Sequence, residues 1–515
     1  MTENAFHLIS FHYCPGFVLT LHSIQPSIAK AFSIPGEERN LGVTPYLGFQ
    51  MKIQPIICTS AAILFLCVAQ MAGQDSQKTQ AQQTAQLATP PSANRAQTKP
   101  VDKTLSDDLN QNLPRWLAFS GEIRLRGEGF SGGGFKPDNG TGYLLTRIRL
   151  NMRLQPTSWM RLYFQGQDAH IVGEDKTKLA PLPPYQDDFD LRQAYVEFGD
   201  VENKTFGFRA GRQELAFGSE RLLGNAYWLN VPRSFDGFRA TYRGNGYRID
   251  GFAACMDRAI SGQFNECVSG SNIYGGYSTF TKLIPKTSIE PYLFWRRQSG
   301  LRTETATPGI MNEATIGLHW SVKPAAGFDY DIEMDRQAGS LGTDSIGAWA
   351  GHWQAGYTVA QSKYKPRPFF EFDYASGDAN GTDGHRGTFD QIYPSGHDLY
   401  TLTDQVGYRN IQLVRGGFEF KPAVKWKLTT KYGSYWLANA HDAFYNGPGV
   451  AVAKSAAGTA GRSVGQELAF VAAYNYNKHT AVGAGVGHFF TGTFLKNTTP
   501  GNSYTYPYLQ LIYGF

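Results

Sequence analysis

Long runs in which apolar and polar residues alternate constrain the fold of this chain more than any other feature. From Leu144 to Gln155, Leu, Thr, Ile and Met alternate with Leu, Arg, Asn and Gln. Successive side chains of a β-strand point to opposite faces, so one face of this segment is apolar and the other is polar. Similar runs of ten or more residues recur after Leu117, which is the length that a tilted strand needs to cross a bilayer.

The connections between these runs also follow a pattern. Short turns are expected at 156–158, 200–203, 244–246, 284–286, 323–326, 421–423 and 475–478. Longer, Gly-rich polar connections are expected at 129–141, 171–187, 214–233, 256–272, 298–311, 336–345, 376–406, 438–463 and 491–503. Alternating long loops and short turns are typical of an antiparallel barrel in an outer membrane. We therefore predict an all-β fold, a transmembrane antiparallel up-and-down β-barrel of about 18 strands over 115–515.

Composition excludes several other classes of protein. Aromatic residues make up 14% of the chain and it contains 57 Gly, yet the predicted barrel region holds no apolar run long enough for a membrane helix. The net charge of +5 is modest for 515 residues and does not indicate a nucleic-acid partner. The last predicted strand, 504–515, ends in Phe515, as expected for a segment recognised by the barrel-assembly machinery.

The N-terminal part of the chain carries different signals. Residues 51–72 combine a basic start with an apolar run, which is typical of a secretory signal peptide. Residues 1–50 precede that signal and are interpreted as a mis-called N-terminal extension. Residues 73–114 are rich in Gln, Thr, Ser, Ala and Pro and are predicted to be a disordered periplasmic linker. Together these features predict a protein of the bacterial outer membrane.

Two cysteines, Cys255 and Cys267, remain after the predicted cleavage. They are 12 residues apart and flank a polar stretch, so we predict a loop disulfide, with two free thiols as the alternative. No cluster of Cys and His has zinc-binding spacing, and we expect neither a metal nor a cofactor. Asp378, Asn380 and Asp383 faintly suggest calcium, but their spacing is not that of an EF-hand.

If the apolar face of each strand contacts lipid, the charged face lines the lumen. The basic candidates for the pore lining are Arg124, Arg126, Arg147, Arg149, Arg153, Arg161, Arg209, Arg239, Lys425, Lys427 and Lys431. Because the first and last strands of a closed barrel are neighbours, these residues are expected to form one basic wall that attracts anions. The alternative is that these residues form ion pairs with acidic side chains of the lumen and serve only to brace the barrel.

The chain resembles the alginate-export family of outer-membrane barrels, most clearly over about 115–255. The motifs that carry the resemblance are LRQAYV at 191–196, GRQE at 211–214, FG at 217–218, RL at 221–222 and RSFDGFR at 233–239. The resemblance implies an 18-stranded channel with an arginine-rich lumen that passes a polyuronate. It also implies a constriction built from Arg212, Arg221, Arg233 and Arg239, with Asp236 pairing one of them. Asp236 and Arg233 are equally consistent with a pair that only pins a loop.

These observations predict a passive channel for anionic saccharides and not an enzyme. A general porin of low selectivity is the first alternative. An adhesion barrel is another, as is a barrel enzyme that would use His385, His397 or His441 beside neighbouring aspartates. The expected partners are the outer-membrane lipid, lipopolysaccharide, an anionic saccharide and the assembly machinery.

Overall fold

The computed structural model of the chain describes residues 103–260, 262–322 and 327–515. These residues form a closed antiparallel β-barrel of 18 strands, which confirms the predicted fold and strand number. The proposed extension, the signal peptide, most of the linker and the predicted turn at 323–326 lie outside the described residues.

In chain order, the elements are α1 (Leu105–Gln111), β1 (Leu117–Ser131), β2 (Gly140–Thr157), β3 (Met160–Val172), β4 (Asp187–Gly199), β5 (Phe206–Gln213), β6 (Phe235–Gly244), β7 (Tyr247–Arg258), β8 (Glu266–Phe280), β9 (Thr287–Arg302), β10 (Pro308–Val322), β11 (Phe328–Leu341), β12 (Asp344–Tyr357), β13 (Arg367–Ala375), β14 (His385–Arg386), β15 (Ile411–Phe420), β16 (Trp426–Leu437), β17 (Ala443–Tyr445), β18 (Ala451–Lys454), β19 (Ser463–Asn475), β20 (Thr480–Thr491), α2 (Thr493–Thr498) and β21 (Tyr504–Gly514). The short strands β14, β17 and β18 lie in loops, and the other strands form the wall. No helix of the described residues is long and apolar enough to span a bilayer.

Each wall strand pairs with its sequence neighbour, and β1 closes the barrel on β21. That seam runs from the pair Glu122 and Gly514 to the pair Ser131 and Thr505. Closure leaves the wall with no free strand edge, which matters because unpaired backbone groups are costly in lipid.

The predicted orientation of the side chains of β2, with apolar residues outward and arginines inward, is confirmed. Leu144, Ile148 and Leu150 are 41–55% exposed on the outer surface, whereas Arg147 and Arg149 are buried inside the barrel. Other large apolar residues are exposed on outward positions of strands around the wall, among them Phe238, Leu293, Trp295, Ile316, Phe370, Phe470, Leu509 and Leu511. An apolar outer surface on a closed barrel suits contact with lipid.

The connections follow the predicted alternation except between β9 and β10, where the expected long connection 298–311 is only residues 303–307, and around β12. The hairpin between β11 and β12 consists of residues 342–343, not the long connection expected over 336–345. Gly342 adopts a φ of +58°, which allows so tight a turn. At the other end of β12, residues 358–366 form a turn that the sequence analysis missed. At this point the longer connection lies at the end of the barrel that otherwise carries short turns.

The prediction of a linker without regular structure up to residue 114 is wrong for its last part. Thr104 and Asp107 form a capping box at the start of α1, with backbone-to-side-chain distances of 3.0 and 3.2 Å. Such reciprocal bonds satisfy amide groups that a helix start otherwise leaves unpaired. A Thr followed three residues later by Asp was the signal for this helix.

The side chain of Asn110 in α1 protects the edge of β1 beyond the barrel seam. Phe515 pairs with Gly121, and the next available position on β1, Phe119, pairs with Asn110 instead of a strand. The Asn110 amide donates to the Phe119 carbonyl at 2.7 Å and accepts from its N–H at 2.8 Å. Asn110 thus takes the place that another residue of β21 would occupy.

Cys255 and Cys267 form a disulfide between β7 and β8, with their Cα atoms 5.6 Å apart. The bridge spans the connection 259–265, at the end of the barrel that carries the long loops. It therefore links two neighbouring wall strands at the point where their connecting loop begins.

We expect Asn110→Ala to destabilise the folded barrel by about 1–3 kcal/mol, because it removes two hydrogen bonds and leaves a strand edge unpaired. The measurement is the temperature at which the folded, fast-migrating band is lost on gel electrophoresis without prior boiling. Asn112→Ala is the matched control, since that exposed amide donates only to the Asp108 carbonyl within α1. Equal loss in both variants would contradict a role for Asn110 at the seam.

Candidate pore and its inward loops

Two loops fold into the barrel interior, and the first is residues 214–234 between β5 and β6. Its residues Leu222, Leu223 and Val231 are each no more than 7% exposed and pack inside the barrel. This first inward loop was expected to be polar, but its middle is apolar. Exposure of apolar side chains to water is unfavourable in free energy, and burial inside the barrel removes this exposure.

Buried arginines of β1 and β2 hold this loop by its backbone. Arg124 donates to the carbonyls of Tyr227 and Leu229 at 3.1 and 2.9 Å, and Arg147 donates to Leu229 at 3.0 Å. Arg126 donates to the carbonyl of Trp228 at 2.6 Å. Hydrogen bonds from a charged donor are stronger than neutral ones, so three guanidinium groups form a strong anchor.

Asn230 adds a side-chain anchor to the same loop, next to these arginines. Its amide donates to the carbonyls of Thr146, His170 and Tyr185 at 2.9–3.1 Å, and its oxygen accepts from Arg124 at 3.1 Å. The side chain is 1% exposed. One residue therefore ties the loop to β1, β2, β3 and the connection before β4.

The anchoring corrects the expected role of three predicted pore residues. Arg124, Arg147 and Arg149 face the interior, as predicted, but each is at most 3% exposed and none lines the open cavity. The first inward loop covers all three side chains, and its carbonyl oxygens accept hydrogen bonds from Arg124 and Arg147. They act on the pore through the position of the loop.

The second inward loop is residues 376–410 between β13 and β15, and charged wall residues also hold it. Arg415 donates to the carbonyls of Leu399 and Tyr400 at 2.7 and 3.0 Å. Glu467 accepts from the N–H groups of Leu402 and Thr403 at 2.9 and 3.0 Å. Backbone groups that would be unpaired inside the barrel are thus satisfied by β15 and β19.

The two inward loops pair with each other. Leu223 and Tyr393 form a parallel β-bridge, and the Ser395 N–H donates to the Glu220 carbonyl at 2.9 Å. Further along, the rings of Trp228 and His397 are parallel, with centroids 3.8 Å apart. The loops therefore form one continuous obstruction in the lumen.

Arg221 of the first inward loop enters a cluster of His352, Glu371 and Asp373. It donates to all three at 3.1–3.4 Å, and Arg415 donates to Glu371 at 2.7 Å. The ligand atoms of the three residues lie within 4.8 Å of one another, which is close enough to hold a metal ion. Because two guanidinium groups already neutralise the carboxylates, the cluster is an ion-pair network that holds the loop.

A cavity of about 2130 Å³ remains beside the loops. Gly134 and Lys178 line it at the long-loop end, and Gly327 and Lys421 line it at the short-turn end, so it extends between the two ends. Over a barrel height of roughly 33 Å, this volume corresponds to a mean radius of about 4.5 Å. The backbone of an 18-stranded barrel has a radius of roughly 18 Å. Side chains and the two loops therefore fill most of the interior.

The expected continuous basic wall is wrong. Strands β19, β20 and β21 separate the arginines of β1 and β2 from the lysines of β16, and these three strands contain no Lys or Arg. Their contribution to the cavity includes Gly483, Tyr506, Tyr508 and Gln510. Among the described residues, this side of the cavity therefore carries no charged side chain and combines tyrosine hydroxyls with apolar residues such as Val471, Ala473 and Val482.

Arg212 and Asp236 are not at the constriction. They are paired across β5 and β6, and the Arg212 Nε lies 2.9 Å from the Asp236 carboxylate. Arg209 and Arg239 on the same strands line the cavity, so residues an odd number of positions away face outward. Arg212 and Asp236 therefore lie on the outer side of the wall.

The remaining predicted pore residues take several positions. Arg126, Arg209, Arg221, Arg233, Arg239, Lys425, Lys427 and Lys431 line the cavity. Several are paired: Arg161 and Arg209 with Glu197, Arg239 with Asp250, Lys427 with Glu419 and Lys431 with Asp398. Arg233 donates instead to the Pro394 carbonyl at 2.6 Å, and so joins the two loops. Arg153 is exposed near the short-turn end of β2.

Among the described residues, fourteen Arg and Lys side chains and eleven Asp and Glu side chains line the cavity. Positive charge is therefore in slight excess, and most of it is matched by nearby carboxylates. Any electrostatic preference of the pore must depend on the few cations that are left without a close partner.

A comparison with protein-family models finds one match, described as alginate export, over residues 115–508. The chain belongs to the alginate-export family. It is an outer-membrane β-barrel, and in barrels of that membrane the short turns face the periplasm.

Comparison with solved structures supports the fold of this alginate-export barrel. OccAB2 of Acinetobacter baumannii matches with a TM-score of 0.53 and 10% identity, over 77% of this chain and 98% of that one. OccD3 (OpdP) of Pseudomonas aeruginosa matches with a TM-score of 0.50 and 12% identity, over 77% and 91%. No curated protein matches the chain.

Sequence reasoning missed several residues that shape the pore of this alginate-export barrel, notably Trp228, Asn230 and Glu467. The apolar stretch 222–231 within a long connection was the available signal for an inward loop. Nothing in the local sequence shows that Asn230 contacts three separate strands and loops, because those contacts join residues far apart in the chain.

We expect Asn230→Ala to loosen the first inward loop, because it removes four hydrogen bonds that together contribute about 2–4 kcal/mol. The expected result is a larger and noisier open-channel current in planar bilayers. Asn245→Ala, in an exposed turn away from the cavity, is the control. A current identical to that of the wild type would show that this anchor does not set the pore.

Proposed function

We propose that this alginate-export barrel is a passive outer-membrane channel for anionic saccharides, in either direction. The observation that carries the proposal is the cavity of about 2130 Å³ that reaches both ends of the barrel and has more cationic than anionic side chains along it. Guanidinium and ammonium groups are the donors that bind saccharide carboxylates best.

The neutral side of the cavity supports a saccharide as the passing molecule. Tyr506, Tyr508 and Gln510 line it on β21, and Ser395 and Gln405 line it on the second inward loop. Hydroxyl and amide groups can exchange hydrogen bonds with a sugar chain that loses part of its water in a narrow passage. A mean radius of about 4.5 Å admits an extended chain in single file and excludes a folded protein.

A general porin of low selectivity is the second candidate. The near balance of charges favours it, since carboxylates neutralise Arg209, Arg239 and Lys431. In that case anions and cations would pass at similar rates, and carboxylated and neutral sugars would block equally.

We propose no catalytic role for the histidines of the outer loops. His397 pairs with Asp404 at 2.8 Å and stacks on Trp228, and His385 contacts Ser345 at 3.0 Å. The side chains of Asp378, Asn380 and Asp383 accept hydrogen bonds within their own turn, such as that from the Asn380 N–H to Asp378, and the Asp378 N–H donates to Asp442 at 2.9 Å. Membership of an export family supports transport and not enzymatic or adhesive activity.

We further propose that residues 51–72 are a signal peptide that directs the chain to the periplasm. The assembly machinery would then recognise β21 with its terminal Phe515, and the apolar outer face would contact lipid and lipopolysaccharide. Mature N-terminal sequencing tests the first step, and a start near residue 73 is expected. A mature protein that retained residues 1–50 would contradict both the signal peptide and the extension.

The central test of the proposed function uses the purified barrel in a planar bilayer. We expect a reversal potential in a salt gradient that shows anion preference. An oligouronate should block at a concentration about tenfold lower than a neutral oligosaccharide of equal length, which corresponds to roughly 1.4 kcal/mol. Cation preference, or equal block by both sugars, would instead favour the general porin.

A further inference from the structure

Two adjacent connections, 358–366 and 421–425, bring several lysines together at the short-turn, periplasmic end of the cavity. The turn 358–366 is bonded to the turn 421–425, because the Lys421 N–H donates to the Tyr364 carbonyl at 2.8 Å. Lys365, Lys421 and Lys425 in these turns and Lys427 at the start of β16 all line the cavity. We name these four residues the lysine mouth.

The lysine mouth has fewer carboxylates than ammonium groups. Lys427 lies 3.1 Å from Glu419, which Arg367 also approaches at 3.7 Å. Lys425 donates to the Tyr476 carbonyl at 2.6 Å. Within the described part of the chain, the side chains of Lys365 and Lys421 form neither an ion pair nor a hydrogen bond. Positive charge is therefore concentrated at this mouth.

The electrostatics of Lys421 agree with this crowding. Partial burial lowers the pKa of Lys421, the neighbouring Lys427 and Lys365 lower it further, and Glu419 offsets part of this decrease. An anion that approached these groups would reduce their mutual repulsion as well as gain its own attraction. The geometry of the two turns, and not this shift alone, defines the place where the anion would bind.

Most other charged groups of the cavity are matched by carboxylates, whereas Arg233 donates to backbone carbonyls. Across the periplasmic half, Arg239 and Arg248 pair with Asp250 and Glu202. At the long-loop end, Lys178 is 3.7 Å from Asp175 and also donates to a backbone carbonyl. The two ends of the cavity therefore differ in their free positive charge.

We propose that the lysine mouth is a docking site for the carboxylates of anionic saccharides. This inference rests on the proposed function and adds a location to it, at the periplasmic entrance and separate from the arginines deeper in the barrel. A cationic rim raises the local concentration of anions and speeds their capture by tenfold or more, about the lower limit of electrostatic steering. The attraction between these lysines and an anion extends over about 10 Å at 0.1 M salt and about 3 Å at 1 M salt.

The test compares two triple variants in planar bilayers. K365Q/K421Q/K425Q removes three charges from the lysine mouth and leaves the pair of Lys427 and Glu419 intact. K204Q/K282Q/K286Q is the matched control, because those three lysines lie in or beside short turns at the same end and do not line the cavity. Accessibility of Leu283→Cys to an impermeant thiol label in proteoliposomes establishes the direction of insertion.

The measured quantity is the association rate of an oligouronate that blocks the current from either side. From the short-turn side we expect about a tenfold lower rate in K365Q/K421Q/K425Q, an unchanged rate in the control variant and an unchanged block by a neutral sugar. Salt at 1 M should bring the wild type close to the variant. From the long-loop side, both variants should resemble the wild type.

The outcomes separate this inference from the proposed function. An oligouronate that blocks the wild type well, but at the same rate in all three proteins, would overturn the docking site alone. A wild-type channel that an oligouronate blocks no better than a neutral sugar would overturn the proposed function and the docking site together.

Discussion

The pairing of β1 with β21 is the contact on which the rest of the structure depends. A bilayer offers no water to unpaired strand edges, so a sheet in lipid must close. Closure then decides the facing of every wall residue, with residues such as Ile148 toward lipid and residues such as Arg147 toward the interior. The seam extends past the end of β21, where Phe515 and Asn110 pair with the last free positions of β1. Closure also places the charged side chains inside the barrel, where each of them needs an ion-pair partner or contact with water.

The inward loops follow from the width of the barrel. A backbone radius of roughly 18 Å is too large for side chains alone to fill. The two loops fill this space with their apolar residues, and buried wall charges bind their backbone groups. Arg124 holds the first loop through two carbonyls, and Glu467 holds the second through two N–H groups. Much of the interior charge therefore has a structural role, and the permeability of the channel depends on the passage that remains.

Short-range patterns in the sequence predict the strands of the barrel wall but not the path of the loops inside the barrel. Period-two alternation correctly places Arg147 and Arg149 inside the barrel. Because Arg209 and Arg239 face inward, the same alternation along β5 and β6 places Arg212 and Asp236 outside, three positions away. The family motif favoured the opposite facing for that pair. The path of the loops depends on contacts between distant residues, such as Asn230 with His170 and Arg221 with Asp373. No local pattern encodes such contacts, although the apolar composition of 222–231 indicates that this segment is buried.

The claim that two inward loops, and not the wall, set the width of the pore can be measured on the unmodified protein. Single-channel conductance in the presence of neutral polyethylene glycols of increasing size reports the largest polymer that enters. A cavity of about 2130 Å³ predicts that polymers are excluded well below a radius of about 10 Å. Free entry of polymers with a radius of about 10 Å, as in a barrel without inward loops, would contradict this account.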